Sequence, residues 1–488
     1  MAASPNILVI LTDQHSPHVA GFAGDDVVRT RALDTLAERS VCFDAAYCQS
    51  PLCVPSRMSM LAGLYPHRCS GWDNSSVLSA EHATLPGWLS QRGYVTAAVG
   101  KMHFRGPEQM HGLQHRPYGD LVESRFPAQQ PDPPATADGR WNRHEVGRFP
   151  FAGPTHIPQS MLIDSVVTRE SLAWLLDHAA SEPARPWLFV ASYSRPHFPL
   201  TAPRRYIDRY AAADVHLPEL PEGYPEDLHR HDRFIVEDFR LAAFSDDERR
   251  RGLAAYCASV NYVDDCIGDL LAALTSAGLL DNTLVIYTSD HGEMGGQHGL
   301  WWKRTYYEAS SRVPLLISGP GICAGRREST PVELVDLFPT CCEWCGVDPP
   351  AGLDGESLMP LLTGRPDQRR KRSARSELLG GRPETRFRMV RDERWKAVDF
   401  PDAPPRLFDL HSDPGERQDL AQSPPTAAAF DDALRVVRQG GDWDALEARR
   451  RADRQRMGEH RRISNGAVQY RLPDGSLLEA DAHLYPPP

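Results

Sequence analysis

Short apolar runs alternate with longer amphipathic stretches along most of this 488-residue chain. The apolar runs are rich in β-branched and aromatic residues and end at polar residues, as is typical of buried strands. They lie at 6–13, 94–100, 187–194 and 282–289. The stretches between them, such as 247–280, predict helices. Strands that alternate with helices predict an α/β fold with a mostly parallel sheet covered on both faces.

Each predicted strand is followed by polar residues that can take part in chemistry. They are Asp13, Lys101, His103, His197, Asp290 and His291. In sheets of this class, ligands bind at the carboxyl ends of the strands. We therefore expect these residues to share one site, although each alone has an ordinary explanation as a helix cap, a turn or a solvated loop residue.

The pattern changes after about residue 365. Shorter alternating runs predict a small antiparallel sheet, and a Pro-Asp-Gly turn near the end predicts a terminal hairpin. We therefore predict a large domain over 1–365, which carries the polar residues, and a small C-terminal domain over 366–488. The apolar face of the hairpin tail would be covered by its own domain or, in a homo-oligomer, by a second copy of the chain.

Composition restricts the expected partners and compartment. Lys and Arg total 54 and Asp and Glu total 65, so the net charge is −11 and no bulk attraction to nucleic acid or to an anionic membrane is expected. The first apolar run has no basic segment before it and is too short for a signal peptide or a membrane span. The ten cysteines are irregularly spaced. We expect a cytoplasmic protein without a disulfide framework.

One cysteine occupies an unusual position. In the stretch CVPSR, Cys53 precedes a proline turn and Arg57 and opens a predicted helix. Three interpretations are open from the residues alone: a buried structural thiol, a thiolate nucleophile, or a cysteine that is converted into another group. A nucleophile beside Arg57 at a helix start would face an anion.

The polar residues together suit a metal ion and an oxyanion. Asp13, Asp290 and His291 offer two carboxylates and an imidazole, which suit a divalent cation with room for substrate oxygens. The other candidates add cationic or proton-donating groups, which would stabilise a tetrahedral oxyanion. These other candidates are Arg57, Lys101, His103, His197 and Lys303.

Five segments of the chain resemble the sulfatase family. They are NILVILTDQ, CVPSRMSMLAG, GKMHF, TSDHGEMGGQHGLWWKRTYYEASSRVPLLI and RLFDLHSDPGERQDLA. The resemblance runs from about residue 5 to residue 421. It implies an alkaline-phosphatase-like α/β/α sandwich with a small C-terminal α+β domain. It also implies a sulfuric ester hydrolase that acts on a small alkyl, aryl or sugar sulfate.

The resemblance offers an answer for Cys53 as well. It implies that a formylglycine-generating enzyme oxidises Cys53 to formylglycine, which then holds a divalent metal with Asp13, Asp290 and His291. Ca²⁺ is the expected ion, with Mn²⁺ or Mg²⁺ as the alternatives. Gln14 stands where many family members have a second aspartate. Its amide oxygen is a candidate ligand, but the site then has one negative charge fewer.

The resemblance assigns roles to the remaining candidates. Arg57 and Lys101 would stabilise the hydrated aldehyde and the charge of the sulfate. His103 would take a proton from formylglycine to release sulfate. His197 and Lys303 would contact the sulfate or protonate the leaving oxygen.

Within the family, the chain is similar to the choline-sulfatase branch, which makes choline O-sulfate a possible substrate. Asn74 would then hydrogen-bond the substrate, and Glu377 would face a quaternary ammonium. Trp141, in the Pro- and Gly-rich insertion 121–160, would offer that cation an aromatic face. Each has an equally good structural explanation, as a turn residue, an ion-pair partner and a packing residue.

Two other functions fit the same residues. A phosphonate monoester or phosphodiester hydrolase would use the same modified cysteine. A non-catalytic sulfate-binding protein would keep the fold, but the intact set of candidate residues argues against it.

Overall fold

The computed structural model describes residues 4–121, 149, 152–423, 427–463, 469–471 and 477–479. Its strands are β1 (Asn6–Asp13), β2 (Val41–Phe43), β3 (Ala46–Tyr47), β4 (Val95–Gly100), β5 (Gly153–Pro154), β6 (Trp187–Pro196), β7 (Thr201–Ala202), β8 (Thr283–Ser289), β9 (Arg312–Val313), β10 (Leu315–Ser318), β11 (Arg326–Glu328), β12 (Val332–Glu333), β13 (Ala374–Leu378), β14 (Phe387–Arg391), β15 (Trp395–Asp399), β16 (Arg406–Asp409), β17 (Gln469–Arg471) and β18 (Leu477–Glu479). Its α-helices are α1 (Arg31–Glu38), α2 (Cys53–Ala62), α3 (Pro66–Cys69), α4 (Leu85–Ser90), α5 (Ile163–Ser181), α6 (Arg204–Ile207), α7 (Arg230–Asp238), α8 (Asp246–Ser276), α9 (Glu308–Ser311), α10 (Leu337–Trp344), α11 (Met359–Leu362), α12 (Ala427–Val437) and α13 (Trp443–Ile463).

A seven-stranded sheet forms the core, in the order β11-β2-β10-β8-β1-β6-β4. The strand β1 pairs in parallel with β6 and β8, and β4 pairs in parallel with β6. Only β10 in this sheet runs against its neighbours β8 and β2. The apolar runs of the sequence thus form a mostly parallel sheet, as predicted.

Helices cover both faces of this sheet because its central strands are apolar on both sides. On one face, Leu8 and Ile10 of β1 pack with residues of α1, α5 and α8. On the other face, Ile7 and Val9 pack with residues of α2, α4 and α10. The expected α/β/α sandwich is therefore confirmed.

A four-stranded antiparallel sheet follows in the C-terminal part of the chain. The strands β13 to β16 pair in sequence order. The helix α12 packs on this sheet, with Phe430 and Leu434 clustered against Val390 and Leu407. The predicted C-terminal α+β arrangement is confirmed, whereas the boundary at residue 365 stays a prediction.

The helix α13 was not predicted from the sequence, since it is highly polar. Asp453 anchors it by accepting hydrogen bonds from Trp72 Nε1 at 2.9 Å and from Ser70 Oγ at 2.6 Å. Arg454 pairs with Asp73 at 2.6 Å. The predicted hairpin forms between β17 and β18. The start of the tail thus packs on its own chain, and a homo-oligomer formed through the hairpin stays a prediction.

Two further features bear on the expectations from composition. All ten cysteines are free thiols in the structure. Among the helices of the described residues, none has both the length and the apolar character needed to cross a membrane.

Gly100 ends β4 and sets the position of Lys101. Its φ is 107°, and a Cβ here would lie 1.9 Å from the carbonyl oxygen of Ser192. That oxygen accepts the backbone N–H of Lys101 at 3.1 Å. We expect Gly100→Ala to lower the free energy of unfolding by about 4 kcal/mol, because the clash is with backbone and the unfavourable φ adds to it. Denaturant unfolding measures this loss.

Gly93→Ala is the matched control for this prediction. Gly93 has a φ of 90°, but nothing lies within 4 Å of the position that its Cβ would take. This substitution should therefore cost only about 1 kcal/mol, from the backbone conformation alone. Equal losses in the two variants would contradict the close approach of β4 and β6.

Candidate active site

Cys53 is the first residue of α2. The residue before it, Leu52, is extended with φ −156°, and Pro55 fits the first turn because no N–H partner is needed there. The backbone N–H of Val54, in the same turn, donates to Oδ1 of Asn74 at 3.1 Å. Every residue of α2 is buried. The position of the Cys53 thiol is thus fixed by a fully packed helix start.

The thiol of Cys53 is surrounded by residues from four other segments. Lys303 Nζ lies 3.1 Å from Sγ, and His291 Nε2 lies 3.3 Å from it. Asp13 Oδ1 and Lys101 Nζ lie 3.9 and 4.0 Å away. Burial raises the pKa of the thiol, but the neighbouring Lys101, Lys303 and His291 lower that pKa well below its ordinary value. These cations therefore favour the thiolate form of an unmodified Cys53.

Arg57 joins the two carboxylates of the site. Its Nε donates to Asp290 Oδ2 at 2.8 Å, and its Nη2 donates to Asp13 Oδ2 at 3.0 Å. Lys101 Nζ lies 2.6 Å from the same oxygen of Asp13. Burial raises the pKa of Asp13, but the surrounding cations hold this pKa well below its usual range. Burial raises the pKa of Asp290 in spite of Arg57, so a further cation beside Asp290 would be favourable.

The residues around Cys53 suit a divalent cation. Four buried residues each offer one ligand atom, and these atoms lie within 4.8 Å of one another. The four are Asp13, Cys53, Asp290 and His291. His291 Nδ1 lies 3.1 Å from the carbonyl oxygen of Gly292. A hydrogen on Nδ1 leaves the lone pair of Nε2 free for a metal, which is the usual arrangement of a metal-binding histidine.

Gln14 adds a fifth candidate ligand. Its Nε2 donates to a carboxylate oxygen of Glu293, while its Oε1 is buried and has no hydrogen-bond partner among the described residues. A buried amide oxygen without a donor is unfavourable unless a cation binds it. The orphaned oxygen therefore agrees with a metal at this position.

His197 lies beside Asp13, as the strand order predicts. Its backbone N–H donates to the carbonyl oxygen of Asp13 at 3.0 Å, and its Nε2 lies 3.8 Å from Asp13 Oδ1. Its Nδ1 lies 2.8 Å from the carbonyl oxygen of Phe198 and donates to it. Burial and the nearby Lys303 lower the pKa of His197 to about 3. The ring is therefore neutral near pH 7 and offers a lone pair at Nε2, which favours Lys303 as the proton donor.

His103 lies against Cys53, and burial lowers its pKa despite this neighbour. Its backbone N–H donates to Asp120 Oδ1 at 2.9 Å, and its Nε2 lies 2.9 Å from Nη2 of the exposed Arg105. A guanidinium only donates, so Nε2 accepts and the neutral ring carries its hydrogen on Nδ1. A role of His103 as a base therefore requires Arg105 to move away from Nε2.

Two of the three candidates for substrate binding, Asn74 and Glu377, lie among the described residues. Asn74 contacts the backbone of α2 rather than the thiol itself. Glu377 is buried, and its Oε1 lies 2.7 Å from Nδ1 of His67 and 2.9 Å from the backbone nitrogen of the same residue. Trp141 lies outside the described residues, as does most of 121–160. The substrate roles of all three stay predictions.

Two buried contacts of the site were not predicted from the sequence. Ser192 Oγ lies 3.0 Å from Nη1 of Arg57, and Glu293 accepts from Gln14. Both had a signal, because Ser192 is a polar residue inside an apolar strand and Glu293 is a charged residue directly after the Asp-His-Gly turn.

Family models match most of the chain. The model described as Sulfatase matches residues 5–347. A second model, described as N-sulphoglucosamine sulphohydrolase, C-terminal, matches residues 296–436.

The chain is also similar to two named sulfatases and to a solved structure. A choline-sulfatase of Rhizobium meliloti (strain 1021) is 33% identical over 95% of this chain and 92% of its own length. An arylsulfatase K of Xenopus laevis is 30% identical over 88% of this chain and 82% of its own length. The structure of the phosphonate monoester hydrolase SpPMH from Silicibacter pomeroyi has a TM-score of 0.77 and 26% identity, and covers 97% of this chain and 99% of that chain.

Proposed function

The chain belongs to the sulfatase family, and we propose that it hydrolyses a small organic sulfate ester through a formylglycine made from Cys53. The observation that carries the proposal is the position of the Cys53 thiol, which lies within 4.0 Å of Lys303, His291, Asp13 and Lys101. An inert structural thiol would not need cations and carboxylates from four segments around it. A formylglycine-generating enzyme would carry out the conversion.

The proposed reaction follows from the chemistry of an aldehyde hydrate, which carries two hydroxyl groups on one carbon. One hydroxyl gives up its proton to solvent and attacks sulfur, which breaks the bond from sulfur to the ester oxygen and expels the alcohol of the substrate with a proton from Lys303. The other hydroxyl then loses its proton, and collapse to the aldehyde expels sulfate. Water then adds to the aldehyde and restores the hydrate, so no water has to attack a sulfate ester of the enzyme.

The side chains take separate parts in this reaction. Arg57 and Lys101 hold Asp13 in place and oppose the negative charge of the sulfate. Lys303 is placed to protonate the leaving oxygen. His197 contacts the sulfate once Nε2 carries a proton, which the negative charge of the bound sulfate favours. His103 accepts the proton of the second hydroxyl after Arg105 has moved away from its Nε2.

A divalent metal completes the proposed site, with Ca²⁺ as the expected ion and Mn²⁺ or Mg²⁺ as the alternatives. Asp13, Gln14, Asp290 and His291 would hold it together with the modified Cys53. When bound, it supplies Lewis acidity that favours the charged form of the nucleophile and withdraws charge from the sulfate.

The first test is a mass spectrum of the tryptic peptide 40–57 from protein made in its own host. We expect Cys53 to appear as an aldehyde or its hydrate. An unmodified thiol throughout active protein would contradict the formylglycine mechanism. A thiolate hydrolase would then be the better explanation, because the pKa of Cys53 is low in this site.

The substrate class needs a direct comparison, since the 26% identity with a phosphonate monoester hydrolase favours a second candidate function. We expect kcat/KM for an aryl sulfate to exceed that for the matching aryl phosphonate monoester by about tenfold or more. A reversed ratio would favour the phosphonate ester hydrolase. Choline O-sulfate is the first natural substrate to assay, because the 33% identical relative is named choline-sulfatase. Release of sulfate from aryl sulfate but not from choline O-sulfate would exclude that organic group.

A further inference from the structure

The backbone of Gln14 is held in an uncommon conformation. Its φ is 66°, in the left-handed region that non-glycine residues rarely adopt. Its N–H donates to Asp290 Oδ1 at 3.1 Å, and its carbonyl oxygen accepts the hydroxyl of Tyr256 at 2.7 Å. These two bonds fix the point from which the Gln14 side chain starts, directly beside Asp13.

Glu293 fixes the other end of that side chain. It is 3% exposed, and its Oε2 accepts the Nε2 hydrogen of Gln14. Its Oε1 accepts the backbone N–H groups of Trp302 at 2.6 Å and of Gly295 at 3.0 Å. The backbone of a neighbouring segment thus holds the carboxylate in one orientation.

A carboxylate can only accept hydrogen bonds, so it determines which end of an amide faces it. Beside Glu293, the amide of Gln14 must present Nε2, and its Oε1 is then turned the other way. That oxygen is the buried atom without a hydrogen-bond partner among the described residues. The negative charge of Glu293 also polarises the amide, which makes Oε1 a better ligand for a cation.

We propose that Glu293 is a positioning residue that orients the Gln14 amide so that Oε1 serves as a metal ligand. The inference rests on the proposed metal site. It explains how the site works with an amide where many family members have a second carboxylate. The negative charge that a second carboxylate ligand would carry lies instead on Glu293, which accepts a hydrogen bond from the Gln14 amide.

Glu293→Gln tests this orientation. The single oxygen of the new amide is expected to stay with the N–H groups of Gly295 and Trp302, so its NH₂ group faces Gln14. The Gln14 amide must then reverse and turn Nε2 toward the metal. We expect the Kd for Ca²⁺, measured by titration calorimetry on metal-stripped protein, to rise about 10- to 100-fold.

A second substitution distinguishes orientation from a merely structural role. In the double variant Gln14→Glu/Glu293→Gln, the donor and the acceptor exchange places. The amide at position 293 donates to one oxygen of the carboxylate at position 14, and the other oxygen is free for the metal. We expect the double variant to bind Ca²⁺ at least as tightly as the wild type. If Glu293 only held the backbone of Trp302, the substitution at Gln14 would not rescue the loss.

Asp232→Asn is the matched control. Asp232 is also a buried carboxylate that holds the segment after Lys303, because it accepts from the hydroxyl of Tyr307 at 2.8 Å and from Arg406 at 3.2 Å. It does not contact Gln14, so its substitution should leave the Kd for Ca²⁺ unchanged.

The outcomes separate this inference from the proposed function. Equal Ca²⁺ binding by the wild type and Glu293→Gln would overturn the inference alone, as would a loss that the double variant does not restore. If the wild type bound none of Ca²⁺, Mn²⁺ and Mg²⁺, the metal part of the proposed function would be wrong and the inference with it.

Discussion

Replacing Cys53 with serine is expected to stop repeated turnover while leaving one attack on the substrate possible. The serine hydroxyl lies where the thiol now lies, within reach of Lys303 and His291. It can attack sulfur once, but its carbon carries no second hydroxyl whose deprotonation would expel sulfate. We expect the steady-state rate to fall by about 10³-fold or more. An intact mass spectrum after incubation with substrate should show one added sulfate group.

Cys69→Ser is the control for this variant. Cys69 is fully buried near α2, with Ser59 Oγ 3.8 Å from its Sγ, and burial raises its pKa to about 12. It is therefore an inert thiol, and its substitution should leave kcat unchanged. Repeated turnover by the Cys53→Ser variant at a rate near that of the wild type would contradict the two-hydroxyl mechanism.

The composition of the site could be predicted because of one property of parallel sheets. The carboxyl ends of neighbouring strands meet at one edge, so residues that follow β1, β4, β6 and β8 must lie close together. The structure brings Asp13, Lys101, His197 and Asp290 together in this way. For these residues, sequence order alone was sufficient information.

Contacts that depend on side-chain conformation could not be predicted in the same way. The hydrogen bond between Arg105 and His103 joins two residues of one loop, yet it depends on the φ of 60° at His103. The pair of Gln14 and Glu293 crosses 279 positions of sequence and joins two loops rather than two strand ends. Glu377 contacts His67 because β13 lies beside the part of the large domain that contains His67. No local pattern in the sequence indicates this arrangement.

The fold shows the same division. The helix α12 has apolar residues at Phe430, Ala433, Leu434 and Val437, a helical spacing that was present in the sequence and overlooked. The helix α13 has no such stripe. It is held by specific polar contacts, of which the bond from Trp72 to Asp453 is buried, and by the packing of Leu446 with Trp72 and Leu379. These contacts join distant parts of the chain and exist only once it has folded.

Removal of the metal is expected to abolish catalysis without unfolding the protein. Asp13 keeps its ion pairs with Arg57 and Lys101, and the central sheet is buried on both faces, so the fold does not depend on the ion. A Lewis acid contributes several kcal/mol to transition-state stabilisation, so we expect kcat to fall by about 10³-fold. The measurement is the sulfatase rate after dialysis against a chelator, with Ca²⁺, Mn²⁺ and Mg²⁺ then added back singly.

Thermal unfolding of the same samples provides the control. An ion that binds only the folded protein raises Tm in proportion to the logarithm of its concentration, whether or not the protein is active. The Cys53→Ser variant should show this rise while remaining unable to turn over, because Asp13, Asp290 and His291 are intact in it. Full activity in protein shown by elemental analysis to be metal-free would contradict the metal's role, even if Cys53 proves to be formylglycine. The proposal for the nucleophile and the proposal for the metal can thus be contradicted independently. Each experiment shows which of the two is wrong.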